Sequence, residues 1–340
     1  MDRKNRQSGI ELLRLLAGCC VVLLHYNYYG GALDGSAGIN HQILRTLETL
    51  AAPAVNVFLL IFGYFHCTKT QVHPGKAACL IVQVSVFRVL ITLVRELLQG
   101  KILWKSVIIS LLPINYYAVF YVALYLISPY FNSFLLNMSQ KNLKNLGIWL
   151  FVLFSLYPTS LDVVQKHIGT DLRGMYTVGD GGYTLVNFFL CYYIGAFLRL
   201  TEITGKVSSK KTLLGFVFCF LILNFWDRLD PGTAREYCNP ILIMETTCIF
   251  ILFARFSFYN SAINSLARSS FTCFLLHFLF IPYIHAEEAA TGSTAFLLVH
   301  LVVSIIGIYM ICWVADIVYR KISEPIFRWI DAKLPCYGCD

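Results

Sequence analysis

The sequence predicts an all-α integral membrane protein, a bundle of about ten transmembrane helices, and two observations lead to that fold class. Hydrophobic residues make up 57% of the 340 residues and charged residues only 14%, whereas a soluble domain normally carries about a quarter charged residues. The apolar residues also form continuous runs of roughly 20 residues, the length of a membrane-spanning helix, and not the shorter alternating segments of a membrane β-barrel. The composition therefore excludes a soluble globular domain, and the 15% of aromatic residues excludes a disordered chain.

The apolar runs give the predicted spans in order, all within one predicted domain that covers residues 1–340. The first run follows a short basic segment and so resembles a signal peptide, but Glu11, Arg14 and His25 interrupt it. A cleaved signal carries a short uninterrupted apolar run, so this segment is predicted to be a retained helix. The predicted spans are 10–29, 50–67, 77–98, 113–135, 146–157, 183–200, 213–226, 240–256, 271–285 and 295–319.

The basic residues predict the orientation of these spans. Lys and Arg are retained on the cytoplasmic side of a membrane, and an even number of spans with both termini cytoplasmic assigns most of them to that side. The 27 Lys and Arg exceed the 19 Asp and Glu by 8, and the topology accounts for this excess. A nucleic-acid partner is therefore not expected; the expected partner is membrane lipid.

The first span contains the most informative pattern, three ionisable residues on one helix face. The eleven steps from Arg14 to His25 turn an α-helix about 20° beyond three full turns, so both side chains share a face, about 16 Å apart. Glu11 lies three residues before Arg14, at a spacing where an acid and a base can pair. Ionisable groups within a span are costly and commonly mark a functional site. The alternative is that Glu11 and Arg14 lie at the cytoplasmic interface and that His25 is merely hydrogen-bonded near the outer boundary.

These residues resemble the first helix of the membrane acyltransferase 3 family, in which an arginine and a histidine are separated by ten residues, as Arg14 and His25 are here. Other segments resemble the family in the same order along the chain, with Phe62–Gly63 in place of the usual Ser-Gly. These segments are 53–58, 62–65, 116–129, 182–199, 267–277 and 323–325.

The resemblance implies transfer of an acyl group, commonly acetyl, from acyl-CoA to a hydroxyl of a cell-envelope glycan or lipid-linked saccharide. It implies a multi-pass protein of the bacterial cytoplasmic membrane, with His25 as the catalytic base and Arg14 as an essential residue that serves the cofactor or shapes the site. Histidine suits this role because it takes up and releases protons near neutral pH. Direct transfer and a relay through an acyl-histidine both remain open, as do the acyl group, the acceptor and the oligomeric state.

The chain departs from the family where many members carry an arginine pair after the second helix. The corresponding segment here offers Lys69, His73 and Lys76, and lysine binds phosphate as a point charge without bidentate geometry. Lys69 and Lys76 are therefore the predicted contacts for the coenzyme A phosphates. If Glu11 neutralises Arg14, the role of Arg14 would instead be structural.

Further polar residues within the spans are candidates for substrate or cofactor binding. Glu245 has no neighbouring cation in sequence and is expected to face a polar cavity or a partner helix. His277 is either functional or a buried histidine bonded to a carbonyl. Asn56 and Asn115 could bind a sugar or join helices, and Tyr116 and Tyr117 could stack on a sugar or anchor the helix at the interface.

No metal site is predicted, although the chain has 12 cysteines. Most of them lie in predicted spans, where they act as small apolar residues, and the C-x-x-C of Cys336 and Cys339 has no second pair nearby. The competing function is a transporter or flippase for an envelope precursor, since scattered charges within a helical bundle fit that class too. No internal repeat, which many transporters show, is present in the sequence.

Overall fold

The computed structural model describes residues 7–169 and 180–339, and in these ranges the chain is predominantly helical. Two short strands, β1 (Gln71–Val72) and β2 (Tyr337–Gly338), pair antiparallel. The α-helices are α1 (Ser8–Tyr28), α2 (Ala32–Gly35), α3 (Gly38–Ala51), α4 (Ala54–His66), α5 (Pro74–Leu98), α6 (Trp104–Ser110), α7 (Tyr116–Leu136), α8 (Gln140–Phe151), α9 (Tyr157–Ile168), α10 (Leu185–Leu200), α11 (Ile203–Lys206), α12 (Ser209–Leu229), α13 (Pro231–Ala234), α14 (Pro240–Ala254), α15 (Ser261–Arg268), α16 (Ser270–Leu276), α17 (Ala286–Thr291) and α18 (Thr294–Lys333).

The all-α membrane fold is confirmed, since 7 helical segments of the described chain are long and apolar enough to cross a membrane. Two further apolar helices, α10 and α14, match predicted spans but are shorter, and the 16 residues of α10 extend only about 24 Å. The count of about ten crossings and the cytoplasmic termini stay predictions. The 7 segments are Ser8–Tyr28, Gly38–His66, Pro74–Leu98, Tyr116–Leu136, Gln140–Ile168, Ser209–Leu229 and Thr294–Lys333.

The ninth predicted span, 271–285, is not a continuous helix, so the prediction of an unbroken span is wrong there. Helix α16 ends at Leu276 and is followed by two 3₁₀ turns, His277–Leu279 and Ile281–Tyr283. Pro282 has no N–H to donate to the carbonyl of Phe278 four residues before it. Arg95 Nη2 donates to that carbonyl instead, at 2.6 Å. The apolar run therefore continues while the regular helix does not.

The fifth predicted span, 146–157, is longer than its apolar run suggested. Helices α8 and α9 are joined by a π-helical turn, Val152–Leu156, so that helical backbone continues from Gln140 to Ile168. Pro158 lies in the first turn of α9 and cannot bond the carbonyl of Phe154, which lies in the π turn. The helix therefore continues past the missing hydrogen bond as a wider π-helical turn.

The described chain divides into two compact units, each formed from three separated stretches. The first unit consists of the described residues within 1–20, 46–69 and 130–267. In it α4 packs closely against α10, because a β-carbon at Gly63 would collide with the carbonyl of Tyr192 and one at Gly195 with the carbonyl of Leu60. The prediction of a single domain over residues 1–340 stays a prediction.

Replacing Gly63 by alanine should destabilise the protein, because the added methyl group has no space against the backbone of α10. Overpacking of this kind costs about 1–3 kcal/mol. Thermal unfolding in detergent should show a lower melting temperature for Gly63→Ala. Gly307→Ala is the matched control: Gly307 is also helical and has no neighbouring atom within 4 Å, so alanine there should be neutral or slightly stabilising. Equal melting temperatures for the two variants would contradict the close packing.

A polar network fixes the segment that leads into α14 in the first unit. Arg235 pairs with Glu48 and, through Nε, with Asp227 at 2.9 Å. Lys166 Nζ lies 2.5 Å from Asp230 Oδ1. Burial alone would raise the pKa of Asp230, but hydrogen bonds from Lys166 and Thr233 hold it below its usual value. The network joins loop residues to α3, α9 and α12.

The second unit consists of the described residues within 21–45, 70–129 and 268–339. Helix α18 packs against α5 and α16, and its buried Asp316 accepts hydrogen bonds from Ser269 Oγ (2.7 Å) and Thr272 Oγ1 (2.6 Å). Arg320 pairs with the same carboxylate. These bonds anchor the start of α16.

Candidate active site

Helix α1 carries Arg14 and His25 on one uninterrupted stretch, Ser8–Tyr28, as the sequence predicted. Their spacing along a continuous helix puts them on one face, about 16 Å apart. Arg14 belongs to the first unit and His25 to the second. His25 lies in the last turn of the helix and is partly buried.

His25 contacts His277, a residue 252 positions further along the chain. Nδ1 of His25 faces Nε2 of His277, the ring centroids are 4.6 Å apart and the ring planes differ by 13°. Two nearly coplanar imidazoles whose nitrogens face each other are arranged for an N–H···N hydrogen bond. The two predicted histidines thus form one site in the second unit.

Aromatic side chains enclose the histidine pair. The ring of Phe278 lies 4.6 Å from that of His25 and 4.3 Å from that of His277, centroid to centroid. Tyr29, one turn after His25, packs edge-on against His25 at 5.1 Å. These rings limit the rotation of the imidazoles, and they leave Nε2 of His25 without a hydrogen bond to any described residue.

His277 is held from its other side. It is fully buried, and its Nδ1 lies 2.8 Å from the carbonyl oxygen of Cys273, in the preceding turn. The hydrogen bond from Arg95 to the Phe278 carbonyl fixes the residue that follows His277. Hydrogen bonds to the carbonyls of Cys273 and Phe278 therefore hold the chain on both sides of His277, where α16 ends.

Glu11 and Arg14 pair in the first unit. Arg14 Nη1 lies 3.2 Å from Glu11 Oε2, and the two side chains are 27% and 9% exposed. The pairing expected from their spacing is present, so the guanidinium faces a carboxylate of its own helix. This geometry favours a structural role for Arg14 over a contact with phosphate.

The predicted phosphate-binding lysines lie at the end of α4 and the start of α5. The backbone carbonyl of Lys69, in the first unit, accepts a hydrogen bond from Asn132 Nδ2 at 2.7 Å, while Lys76, in the second unit, is exposed in the first turn of α5. Near Lys76, β2 of the C-terminal segment pairs with β1. The hydrogen bond from Asn132 holds the backbone at Lys69, and the β1–β2 pair lies just before the helix that carries Lys76.

The predicted sugar-binding residues are largely engaged with the protein itself. Asn56 donates through Nδ2 to the carbonyl of Tyr237 (2.8 Å) and accepts through Oδ1 from Asn187 (3.2 Å). Asn115 Oδ1 accepts the backbone N–H of Ala118 at 3.0 Å, as an N-terminal cap of α7.

The two tyrosines that follow Asn115 differ in burial. Tyr117 is buried, and its ring packs 5.0 Å from that of Phe274 on α16. Tyr116 is partly exposed. Of this pair, Tyr116 has the side chain that is accessible at the surface of the described chain.

Glu245 belongs to the first unit. It is fully buried in α14, which packs against α12. Neither of its carboxyl oxygens has a hydrogen-bond partner in the described chain. That it faces a polar cavity or a partner helix stays a prediction.

Sequence reasoning did not identify the residues that support the two histidines. Tyr29 is detectable from its spacing of four residues after His25, which puts both on one helix face. Arg95 lies within the third predicted span, 77–98, and no local pattern links it to Phe278. Its position in an apolar helix was the available signal, because an arginine there needs an acceptor.

Comparison with known families gives a match over most of the chain. A family described as an acyltransferase domain, acyltransferase 3, matches residues 7–317, a range that contains both histidines and all of α1. Neither the curated proteins nor the solved structures contain a match to this chain.

Proposed function

This chain belongs to the acyltransferase 3 family, and on that premise we propose that it moves an acetyl group from acetyl-CoA to a hydroxyl of a cell-envelope glycan or lipid-linked saccharide. The family match and the apolar helices make it a multi-pass membrane acyltransferase. The donor, the acceptor and a bacterial cytoplasmic location are part of the proposal. The observation that carries it is His25, enclosed by aromatic rings and with Nε2 free of any described partner.

In the proposed reaction, Nε2 of His25 takes the proton of the acceptor hydroxyl. The resulting oxygen attacks the thioester carbonyl, a C–O bond forms, and the C–S bond to coenzyme A breaks. The imidazolium of His25 then gives its proton to the departing thiolate, so that the products are an ester and free coenzyme A. General base catalysis by one positioned side chain contributes typically about 10²–10⁴-fold to a rate.

Lysine is the side chain proposed for the coenzyme A phosphates. Lys76 is exposed, and its charge is available to an anion from the cytoplasmic side of the predicted topology. Lys69 is exposed as well. Arg14 is proposed to shape the cytoplasmic half of α1, because its pairing with Glu11 offsets its charge.

The proposal is tested with membranes from cells that carry the protein and from otherwise identical cells that lack it. Acetyl-CoA labelled in the acetyl group is added, and the envelope glycans are analysed by mass spectrometry. We expect label in an alkali-labile ester on a glycan or lipid-linked saccharide, only where the protein is present. Transport of an intact precursor with no consumption of acetyl-CoA would contradict the proposal and support the transporter alternative.

A further inference from the structure

We propose that His277 is a positioning residue that sets the tautomer of His25, so that the lone pair of His25 lies on Nε2. This inference rests on the proposed role of His25 as the base. In this role His277 exchanges no proton with the substrate and acts only through its hydrogen bond to His25. The inference follows from which nitrogen donates and which accepts in two contacts, His277 with Cys273 and His277 with His25.

The chain of hydrogen bonds starts at the carbonyl of Cys273. A carbonyl oxygen only accepts, so Nδ1 of His277, 2.8 Å away, must carry a proton and donate it. His277 is fully buried, and no described carboxylate contacts it. Since an uncompensated buried charge is costly, the resting ring is neutral, and its single proton is the one on Nδ1. Nε2 of His277 then holds a lone pair and can only accept.

The next contact fixes His25. Nε2 of His277 faces Nδ1 of His25, and two lone pairs cannot form a hydrogen bond. Nδ1 of His25 must therefore carry the proton. In the neutral imidazole of His25 the other nitrogen, Nε2, is then left with the lone pair. The proton position on a histidine is commonly set in this way by the partner of its other nitrogen.

The same contact strengthens during the reaction. When Nε2 of His25 takes the proton of the acceptor hydroxyl, the ring becomes an imidazolium and its Nδ1–H becomes a charge-assisted donor to His277. The positive charge forms next to a lone pair whose orientation the Cys273 carbonyl already fixes. Because this gain arises after substrate has bound, loss of His277 should lower kcat and leave KM for acetyl-CoA nearly unchanged.

The surroundings keep this arrangement in place. The ring of Phe278 packs against both imidazoles, and the hydrogen bond from Arg95 to the Phe278 carbonyl holds the backbone beside His277. Either ring could reverse its hydrogen-bond roles only by turning away from these contacts. A histidine that merely filled space would need no particular nitrogen facing His25.

Solid-state ¹⁵N NMR of the full chain in lipid, with the histidine side chains labelled, tests the tautomer without any activity measurement. The signals of His25 are identified as those lost in His25→Gln. We expect a protonated Nδ1 and an unprotonated Nε2 on His25 in the wild type, and a protonated Nε2 in His277→Leu. A protonated Nε2 on His25 in the wild-type protein would overturn the inference.

The kinetic test compares two replacements of His277 with a matched histidine outside the site. His277→Leu removes the acceptor and should lower kcat about 100-fold with KM within about twofold, whereas glutamine supplies a carbonyl acceptor and His277→Gln should recover about tenfold over leucine. His285→Gln, an exposed histidine paired with Glu288, should keep the wild-type rate. Equal losses in the leucine and glutamine variants, or a loss in KM alone, would refute the positioning role.

The two proposals fail separately. If His25→Ala transfers acetyl at the wild-type rate while the NMR signals agree with the expected tautomer, His25 is not the base and only the hydrogen-bonded pair remains. If His25→Ala is inactive but Nε2 of His25 is protonated in the resting protein, the proposed function stands and the task of His277 is refuted.

Discussion

Replacing His25 by alanine should lower the rate of acetyl transfer by about 100-fold or more. In the proposed reaction the variant loses the group that takes the proton from the acceptor hydroxyl, a contribution of about 10²–10⁴ for one general base. Because the side chain is only partly buried, at the last turn of α1, alanine should leave the helix and its insertion intact. The measurement is the initial rate of label transfer from acetyl-CoA in membranes that hold equal amounts of protein, determined by immunoblot.

His285→Ala provides the comparison for this result. His285 lies in the same unit and is exposed, with Nδ1 3.1 Å from Glu288, so its loss should not change the rate. A correctly inserted His25→Ala protein that acetylates at the wild-type rate would rule out His25 as the base. If both variants lost the same activity, a general effect on the membrane protein and not base catalysis would explain the loss.

The first helix could be predicted from sequence because the signals there are local. A helix advances 100° per residue, so the spacing of Glu11, Arg14 and His25 fixes their face before any tertiary contact is known. The ion pair of Glu11 and Arg14 follows from the same spacing. The structure agrees on both points because neither depends on another helix.

The partner of His25 could not be predicted in this way. His277 was identified as a candidate, but 252 residues separate the two histidines, and no periodic pattern reports a contact at that distance. The apolar run of the ninth predicted span also concealed the break after Leu276. Hydropathy records which residues avoid water. The break depends instead on Pro282, which has no N–H, and on Arg95 of another helix, which donates a hydrogen bond to the carbonyl of Phe278.

The buried charges of the first unit show the same limit. Arg235 pairs with Asp227 and with Glu48 of α3, 187 residues away. Asp227 is 1% exposed and Glu48 8% exposed. The sequence contains all three residues but gives no sign that the fold brings them together.

Replacing Arg235 by leucine should therefore destabilise the protein more than loss of any exposed ion pair. Leucine leaves two buried carboxylates without the guanidinium they share, and removal of one partner of a buried pair costs about 3–5 kcal/mol. The Arg235 side chain is itself 22% exposed, so water screens part of the interaction. The free energy of unfolding should therefore fall by at least about 2 kcal/mol. The measurement is the melting temperature of the purified protein in detergent.

The expected cause of that loss is the negative charge of Asp227 and Glu48 that Arg235 offsets, and a second variant separates this cause from lost packing. Adding Asp227→Asn and Glu48→Gln to Arg235→Leu removes both buried charges, so the triple variant should recover much of the melting temperature. Lys166→Leu is the control, because Lys166 and Asp230 form an ion pair whose side chains are 39% and 25% exposed and such pairs contribute about 0–1 kcal/mol. If the triple variant melts no higher than Arg235→Leu, the contacts of the arginine stem, and not its charge, stabilise the segment that leads into α14.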